Sequence, residues 1–148
     1  MSYTSLAYHI VFSTKERRAL LDPDVLPRIC EYLGGIVRQT EGQMLIANGT
    51  ADHLHLVAIA SPKIAVSDFV RVIKANSSKW IHETFPNVRM LAWQDGYGAF
   101  SVSHSAIPAV VPYIRDQQKH HEKMTFREEL KRLLDRHKIE YDERYLDR

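Results

Sequence analysis

The stretch DHLHLVAIA, residues 52–60, decides the fold because it places two histidines inside an apolar strand. Side chains of a strand point alternately to its two faces, so His53 and His55 share one face while Leu54 and Leu56 point to the other. Both faces are apolar beyond the histidines, so each face of the sheet needs a cover. Two adjacent imidazoles make half a metal site, although two ordinary histidines give the same pattern. A metal site therefore requires a third ligand from elsewhere in the chain.

Three further strands are predicted by β-branched, aromatic or alternating residues, at 6–13, 44–47 and 97–103. Asn48-Gly49 is a turn signal that joins the second of these to the histidine strand in a hairpin. Apolar residues at helical spacing predict four helices, at 22–42, 67–85, 105–124 and from 125 onward. Ser67 or Asp68 is predicted to cap the second helix, and the capping box TFRE at 125–128 opens the last.

Glycine and proline fall inside two of these helices. Gly34-Gly35 interrupts the first, where a close approach of helix to sheet would compensate for a cost of roughly 1 kcal/mol per glycine. Pro112 falls inside the third, where it removes one backbone hydrogen bond and bends the helix beside Tyr113. The last helix, in a C-terminal helical tail at about 125–148, is interpreted as an appendage or a dimer contact.

The element order β-α-β-β-α-β, followed by two helices, is typical of the split βαβ arrangement. We therefore predict an α+β fold, a ferredoxin-like (RRM-like) sandwich with an antiparallel sheet and two helices on one face. The third helix is free to cover the other face, where His53 and His55 are predicted to lie. Residues 1–148 are expected to form a single domain, because 148 residues suffice for one core and are too few for two of ordinary size.

Composition narrows the class of protein. Charged residues make up 26% and hydrophobic residues 45%, the balance of a soluble globular chain. No apolar run reaches membrane-spanning length, the first residues lack the features of a signal peptide, and the single cysteine excludes an internal disulfide. A cytoplasmic protein without a membrane partner is expected, with Cys30 in the core. The net charge of +2 permits a nucleic-acid partner without requiring one.

Tyr113 and Gln117 supply chemistry that the histidine pair lacks. Their spacing of four residues places both on one face of the third helix, which is predicted to lie over His53 and His55. A divalent metal bound by two imidazoles and an amide oxygen would leave positions for a phosphate oxygen and would polarise the phosphorus. A tyrosine hydroxyl, with a pKa of about 10, is a poor nucleophile at neutral pH without such help. A half-buried aromatic residue and a solvated glutamine fit the same positions.

Four blocks of the chain, in order, resemble the single-tyrosine HUH transposases of the insertion-sequence-200/605 type, the IS200-like transposases. The blocks are YHIVFSTK at 8–15, DHLHL at 52–56, WQ with GYGAFSVS within 93–103, and YIRDQQKHH at 113–121. The tail IEYDERYL at 139–146 is also similar to the family's tail. A histidine-hydrophobic-histidine triplet alone occurs by chance in many strands, whereas four blocks with the right spacing are specific. Together they cover nearly the whole chain.

This resemblance implies a metal-dependent transposase of single-stranded DNA. His53, His55 and Gln117 would bind Mg²⁺ or Mn²⁺, and Tyr113 would attack a phosphodiester to give a 5′-phosphotyrosine and a free 3′-hydroxyl. That hydroxyl, or one from another strand, would later rejoin the DNA without an external energy source. Such enzymes are homodimers that recognise hairpins near the ends of their element. The helix that carries the tyrosine is able to reach the partner's histidines, and the sequence leaves this exchange open.

Basic residues on two elements are the candidates for phosphate contacts with a DNA hairpin. They follow the first strand or lie on the second helix: Lys15, Arg17, Arg18, Arg71, Lys74 and Lys79. A solvated surface explains them about as well. Four further histidines are assigned no role: His9, His104, His120 and His121.

Three other functions fit parts of the same pattern. A domesticated relative, such as a repeat-associated tyrosine transposase or another HUH nuclease, would nick and rejoin hairpin DNA without mobilising its own element. A non-catalytic ferredoxin-like nucleic-acid-binding module would stack sheet aromatics on bases, but the four site residues together argue against it. A non-catalytic dimeric regulator with a structural metal is the third, and a glutamine ligand is poor for structural zinc.

Overall fold

Four antiparallel strands form one sheet in the computed structural model, which describes residues 1–147. The strands are β1 (Ala7–Ser13), β2 (Gln43–Gly49), β3 (His53–Ile59) and β4 (Gly98–Val102). Their order is β2-β3-β1-β4, so β1 and β3 are central and β2 and β4 are edge strands. This order confirms the predicted ferredoxin-like sandwich and its β2–β3 hairpin. The predicted turn position is wrong, because Asn48 and Gly49 pair with β3 and the connection lies at 50–52. Arg148, the end of the predicted tail, lies outside the described residues.

One α-helix lies between β1 and β2, another lies between β3 and β4, and further helices follow β4. These helices are α1 (Leu26–Gln39), α2 (Val66–Thr84), α3 (Ile107–Arg115), α4 (Gln117–His120) and α5 (Phe126–Arg136). Short 3-10 turns occur at Lys15–Arg17, Pro86–Val88, His104–Ala106 and Glu143–Tyr145. Within residues 1–147, none of the helices is both long and apolar enough to cross a membrane.

One face of the sheet, here called the apolar face, packs against α1 and α2. Alternate residues of β1 and β3 point to it, and Ile10, Phe12, Leu54 and Leu56 have no exposed surface. The buried stripes of the two helices complete this core: Leu26, Ile29, Leu33, Ile36, Val37, Phe69, Val70, Ile73 and Ile81. Cys30 is partly buried against it, as predicted. Full burial of one such side chain contributes roughly 1.5–3 kcal/mol to stability. More apolar side chains are buried on this face than on the opposite one, so the larger hydrophobic core lies here.

Helix α1 differs from its prediction at its start and in its middle. It begins at Leu26 because the Asp22 carboxylate accepts two backbone N–H groups in a turn ahead of the helix. The helix is not interrupted at Gly34-Gly35, so that prediction is wrong. A Cβ at Gly34 would lie 3.3 Å from Cε of Met44 on β2, so α1 does approach the sheet closely there.

The predicted cap of α2 is also wrong. The helix begins at Val66, after Ala65, whose side chain offers no hydrogen-bond acceptor. Ser67 and Asp68 therefore lie inside the first turn, where a carboxylate is stabilised by the helix dipole. The Asp68 carboxylate forms an exposed ion pair with Arg71 at 3.2 Å, one turn along α2.

The opposite face of the sheet, here called the histidine face, is covered by α3, α4 and α5. The buried side chains of this face include His9, Val11, His53, His55 and Phe100. Val11 and Phe100 form a smaller core with Phe126 and Leu133 of α5. The prediction that the third helix covers the histidines is therefore confirmed, although other helices share in the cover.

The predicted third helix, over 105–124, is not continuous. Helix α3 ends before Asp116, whose backbone has φ −97° and ψ 23°, and α4 begins at the next residue. Pro112 lies inside α3, and its carbonyl accepts the N–H of Asp116 at 3.1 Å, so the break falls a turn after the proline rather than beside Tyr113. Directly after the break, the side chain of Gln117 points inward and has no exposed surface.

Helix α5 is part of the cover and not the appendage that was predicted. Thr125 Oγ1 accepts the N–H of Glu128 at 3.2 Å, which confirms the predicted N-cap. Phe126, Glu129 and Leu133 are buried on one side of α5. A buried carboxylate is costly unless it is hydrogen-bonded, so the partners of Glu129 are informative.

Candidate metal and tyrosine site

His53 is held between a carboxylate and an amide. Its Nδ1 lies 2.8 Å from Asp52 Oδ1 and 3.0 Å from Thr50 Oγ1, and its Nε2 lies 3.1 Å from Gln117 Oε1. Because an ionised carboxylate only accepts hydrogen bonds, Nδ1 carries the proton that Asp52 accepts. Burial lowers the pKa of His53, but hydrogen bonds to Asp52 and Glu129 outweigh burial and raise it above its ordinary value. A carboxylate behind an imidazole commonly orients a metal-binding histidine.

His55 has an imidazole behind it instead. Its Nδ1 lies 2.8 Å from Nε2 of His9 on β1, and its Nε2 lies 2.8 Å from Glu129 Oε1. Burial, followed by the charge of His55, lowers the pKa of His9 to about 3. Burial also lowers the pKa of His55. His9 therefore orients His55 as a neutral ring, a position that sequence reasoning missed. The available signal was the alternation of side chains along β1, which is next to β3 in the sheet and directs His9 to the same face as His53 and His55.

Glu129 lies at the centre of the cluster. Its Oε1 lies 2.8 Å from His55 Nε2, 3.0 Å from His121 Nε2 and 3.5 Å from His53 Nε2, and its Oε2 accepts from Gln117 Nε2 at 3.0 Å. Burial raises the pKa of this carboxyl, but the hydrogen bonds from the histidines outweigh burial and hold the pKa far below its ordinary range. Sequence reasoning missed Glu129. The available signal was a carboxylate in the apolar stripe of the last helix.

Tyr113 is half-buried beside this carboxylate. Its hydroxyl donates to Glu129 Oε2, and its ring stacks on His120 with 4.5 Å between centroids. Burial, together with the hydrogen bond to Glu129, raises the pKa of Tyr113 above its ordinary value. The phenol is therefore neutral, and an acceptor for its proton is already in contact with it.

Four ligand atoms converge at one point of the histidine face. Those of His53, His55, His121 and Glu129 all lie within 4.8 Å of one another, so this cluster can bind a metal ion. Gln117 Oε1 is adjacent to it through His53. The structure thus brings together the three predicted ligands and adds two donors. The signal for His121 was its spacing of four residues from Gln117, which favours a shared helix face.

The predicted phosphate contacts after β1 lie in different environments. Lys15 is exposed, and Arg18 makes an exposed ion pair at 3.2 Å. Arg17 is part-buried: its Nη2 donates to the carbonyl of Leu146 at 2.7 Å, and its guanidinium lies 4.8 Å from the ring centroid of Phe126. Arg17 therefore links the C-terminal segment to α5, whereas Lys15 and Arg18 are accessible to a ligand.

The predicted phosphate contacts on α2 lie on the apolar-face side of the sheet. Arg71 and Lys79 are exposed. Lys74 Nζ donates to the carbonyls of Gln94 and Gly96 at 2.7 Å each, and burial lowers its pKa. Lys74 therefore stabilises the loop before β4. The sheet separates these three cations from the histidine cluster.

The sequence matches the family model described as transposase IS200 like over residues 2–117. It is 26% identical over 117 residues to the ISDra2 transposase TnpA of Deinococcus radiodurans, covering 76% of this chain and 84% of that protein. It is 28% identical over 115 residues to the transposase for insertion sequence element IS200 of Salmonella typhimurium, covering 74% of this chain and 75% of that protein.

Two solved structures are similar to this one. The crystal structure of a protein described as a transposase from Deinococcus radiodurans R1 has a TM-score of 0.65 and 25% identity, covering 78% of this chain and 93% of that one. A REP-associated tyrosine transposase bound to a REP hairpin has a TM-score of 0.59 and 13% identity, covering 82% of this chain and 72% of that one, a likeness of fold alone.

The family match has a clear relation to the site. It includes His53, His55, Tyr113 and Gln117, and it ends before His121 and the whole of α5. Because one family model spans residues 2–117, well over half of the 148 residues, this chain belongs to the IS200-like transposase family.

Proposed function

We propose that this transposase cuts and rejoins single-stranded DNA through a covalent bond between Tyr113 and a 5′-phosphate. The observation that carries the proposal is the hydrogen bond from the Tyr113 hydroxyl to Glu129, whose other carboxylate oxygen accepts from His55. A nucleophile, a proton acceptor and a metal-binding cluster are thereby contiguous. Membership of a transposase family supports this class of reaction.

The proposed reaction is a transesterification. Tyr113 Oη forms a bond to phosphorus while the bond from phosphorus to the 3′-oxygen breaks, leaving a 5′-phosphotyrosine and a 3′-hydroxyl. The phenol proton leaves toward Glu129, and the departing 3′-oxygen takes up a proton. Attack by a 3′-hydroxyl on the phosphotyrosine reverses these steps and restores a phosphodiester. One ester replaces another at each stage, so rejoining requires no external energy source.

The proposed metal ligands are His53, His55 and Gln117, with Glu129 and His121 as further donors. Amide and carboxylate oxygens suit Mg²⁺ and Mn²⁺, which are the ions we propose. Such an ion, when bound, supplies Lewis-acid polarisation of the scissile phosphate. Glu129 is a weak base while the histidines donate hydrogen bonds to it. Ring nitrogens held by a metal ion would no longer donate to Glu129, which would then accept the phenol proton more readily.

The proposed substrate is DNA with hairpins near the ends of a mobile element. The similar fold of a REP-associated tyrosine transposase bound to a REP hairpin supports this choice. Lys15 and Arg18 are exposed and remain candidates for phosphate contacts, as do Arg71 and Lys79 on the other side of the sheet. We also propose a homodimer, which light scattering of the purified protein would test.

Residues 1–148 are proposed to act as one domain. The contribution of Glu129 from α5 to a cluster built on β3 supports this boundary, because removal of the tail would remove a site residue.

A covalent-adduct experiment tests the function. The protein is incubated with end-labelled single-stranded DNA from the ends of the element and Mn²⁺, and the products are separated on a denaturing gel. We expect a labelled protein–DNA band that is absent with chelator and absent in Tyr113→Phe. Tyr32→Phe is the matched control, since Tyr32 lies on α1, which packs on the apolar face.

Two outcomes would contradict the proposal. An adduct that persists in Tyr113→Phe would assign the nucleophile to another residue. Binding of hairpin DNA without an adduct, across several element ends and with both metals, would make the chain a non-catalytic DNA-binding module.

A further inference from the structure

A cavity of about 780 Å³ lies between β4, α3 and α5, directly beside Tyr113. Its volume falls within the range of roughly 300–1,000 Å³ that is usual for ligand sites. Phe100 and Val102 of β4 and Val110 of α3 form apolar walls, and Tyr113 and Glu129 also line it. Because β4 is an edge strand, the cavity lies at the edge of the sheet. The family match ends before α5, so one wall of this cavity is a feature of this chain beyond the matched residues.

Two arginines of α5 line the same cavity. Arg132 and Arg136 have accessible side chains, and their spacing places them on the side of α5 that carries Glu129. Within residues 1–147, neither guanidinium forms an ion pair, in contrast to Arg127, which pairs with Glu143. Burial is the main cause of the raised pKa of Tyr113. The positive charge of Arg136 lowers that pKa, so the guanidinium is close enough to affect the Tyr113 hydroxyl. Two unpaired cations beside a nucleophile suit an anionic ligand.

Stacked ring pairs border the cavity. Phe100 and His137 stack with 4.5 Å between centroids and 28° between planes, and Tyr113 and His120 stack with 4.5 Å and 25°. His137 is exposed and lines the cavity. Flat aromatic surfaces beside cationic side chains are the recurring means by which proteins bind unpaired bases.

We infer that this cavity binds one nucleotide of single-stranded DNA next to the scissile phosphate, with its base on the ring of His137 and its flanking phosphates on Arg132 and Arg136. The inference rests on the proposed function, because it assigns the strand that Tyr113 attacks to this cavity. An unpaired strand is favoured over a duplex because a base must leave the helical stack before a side chain can lie flat against its face.

The first test is the salt dependence of binding. Fluorescein-labelled oligothymidylate is titrated with the full-length protein in chelator, where metal-dependent cleavage does not occur, and affinity is measured by anisotropy between about 50 and 200 mM salt. Removal of one cation that binds a phosphate lowers the slope of log affinity against log salt by about 0.7 for single strands, so Arg132→Gln/Arg136→Gln is expected to lower it by about 1.4. Arg38→Gln/Arg89→Gln is the matched control, because both of its arginines are exposed outside this cavity.

The second test separates stacking from charge. His137→Ala is expected to weaken binding by roughly tenfold, the effect of removing one aromatic ring on which a base stacks, with no change in the salt slope. His137→Phe keeps a flat ring and is expected to restore the affinity. If His137→Phe binds as weakly as His137→Ala, the assignment of the base to this ring is overturned.

The outcomes distinguish the inference from the function on which it rests. Equal salt slopes in the two double variants, with adduct formation intact in the unmodified protein, would overturn the cavity assignment and leave the tyrosine mechanism standing. A lower slope only in Arg132→Gln/Arg136→Gln supports binding of single-stranded DNA in this cavity. Absence of the adduct in the unmodified protein, with the salt slopes as expected, would overturn the mechanism and the position next to a scissile phosphate, and would leave the cavity a binding site for single-stranded DNA.

Discussion

The two faces of one sheet differ in what they bury. Toward the apolar face, β1 and β3 direct Ile10, Phe12, Leu54 and Leu56, all without exposed surface. Toward the histidine face, the same strands direct His9, Val11, His53 and His55, which are also buried. A buried polar group costs free energy unless it is hydrogen-bonded, and the histidine ring nitrogens described above have partners. The comparison teaches that a single strand can stabilise the fold with apolar side chains on one side and hold a hydrogen-bonded polar cluster on the other.

The largest expected effect is on activity and belongs to the histidine face. If DNA cleavage survived without the Tyr113 hydroxyl, the contrast between the two faces would be wrong. Tyr113→Phe is expected to reduce DNA cleavage by about 10⁴-fold or more, as removal of a nucleophile does in other enzymes. The thermal unfolding midpoint should change little, because the ring still packs and Tyr113 is only half-buried. Single-turnover cleavage assays measure the first quantity, and calorimetry measures the second.

A substitution on the apolar face is expected to lower stability and to leave metal binding unchanged. Leu56→Ala should lower the free energy of unfolding by roughly 2–5 kcal/mol, because it leaves a cavity in the larger core. Mn²⁺ affinity of the molecules that remain folded should be unchanged, since Leu56 points away from the cluster. Urea denaturation and Mn²⁺ titration check the two expectations. A loss of metal affinity in folded Leu56→Ala would show that the two faces are not independent.

The carboxylate behind His53 should affect metal binding more than folding. Asp52→Asn is expected to weaken Mn²⁺ binding by roughly 10–100-fold, because His53 loses the acceptor that fixes its ring and its tautomer. Mn²⁺ binding followed by electron paramagnetic resonance measures this directly. Asp68→Asn, on α2, removes a carboxylate from the other side of the sheet and should leave Mn²⁺ affinity unchanged. Similar losses in both variants would point to net charge rather than to ring orientation.

The smallest expected effect is a pH dependence that belongs to the histidine face. The pKa of His9 is about 3 in the folded protein, lowered by burial and then by His55 from an ordinary 6.5, so the unfolded chain binds this proton first as pH falls. The stability that neutral His9 contributes is present above pH 6.5 and is lost progressively as pH falls from there toward 3. His9→Phe should therefore show a shallower loss of stability between about pH 6.5 and 5, by at most about 1.4 kcal/mol per pH unit.

Measurement of that dependence requires urea denaturation in chelator at several pH values. The lowered pKa of His55 acts in the same direction as that of His9, and the raised pKa of His53 acts in the opposite direction. The difference between the stability profiles of His9→Phe and the unmodified protein gives the contribution of the His9 ring alone. Parallel stability profiles would mean that His9 does not titrate on unfolding in this range.

Much of the fold could be predicted because its signals are local. Alternation over residues 52–60 assigned His53 and His55 to one face. The turn signal at Asn48-Gly49 correctly predicted that β2 pairs with β3, although both residues belong to β2 and the turn lies at 50–52. The wrong helix boundaries arose where a local hydrogen bond or a change in backbone conformation ends the helix, which the spacing of apolar residues does not reveal. The Asp22 carboxylate accepts backbone N–H groups in a turn ahead of α1. The helix predicted over 105–124 breaks at Asp116, whereas the sequence predicted a bend beside Tyr113.

The predicted basic residues illustrate a different limit. Lys74 and Arg17 read as free cations in the sequence, but both donate to backbone carbonyls of distant segments. A cation's availability depends on the carbonyls that the tertiary structure brings to it, which spacing along one element does not describe. Arg132 and Arg136, in contrast, were not among the predicted phosphate contacts, yet they line the cavity beside Tyr113.

The sequence by itself determined the order of the elements along the chain and the shared face of His53 and His55. It also indicated that Tyr113 and Gln117 both lie over that face, although the single helix predicted to carry them is broken at Asp116. Each of these depends on the periodicity of a single element or on a short turn. Only the tertiary structure decided that Glu129 of α5 lies among the histidines and that His9 lies behind His55. Those contacts join residues distant in the chain, and the physical reason is that periodicity specifies which side of an element a residue occupies, whereas long-range packing specifies what that side meets.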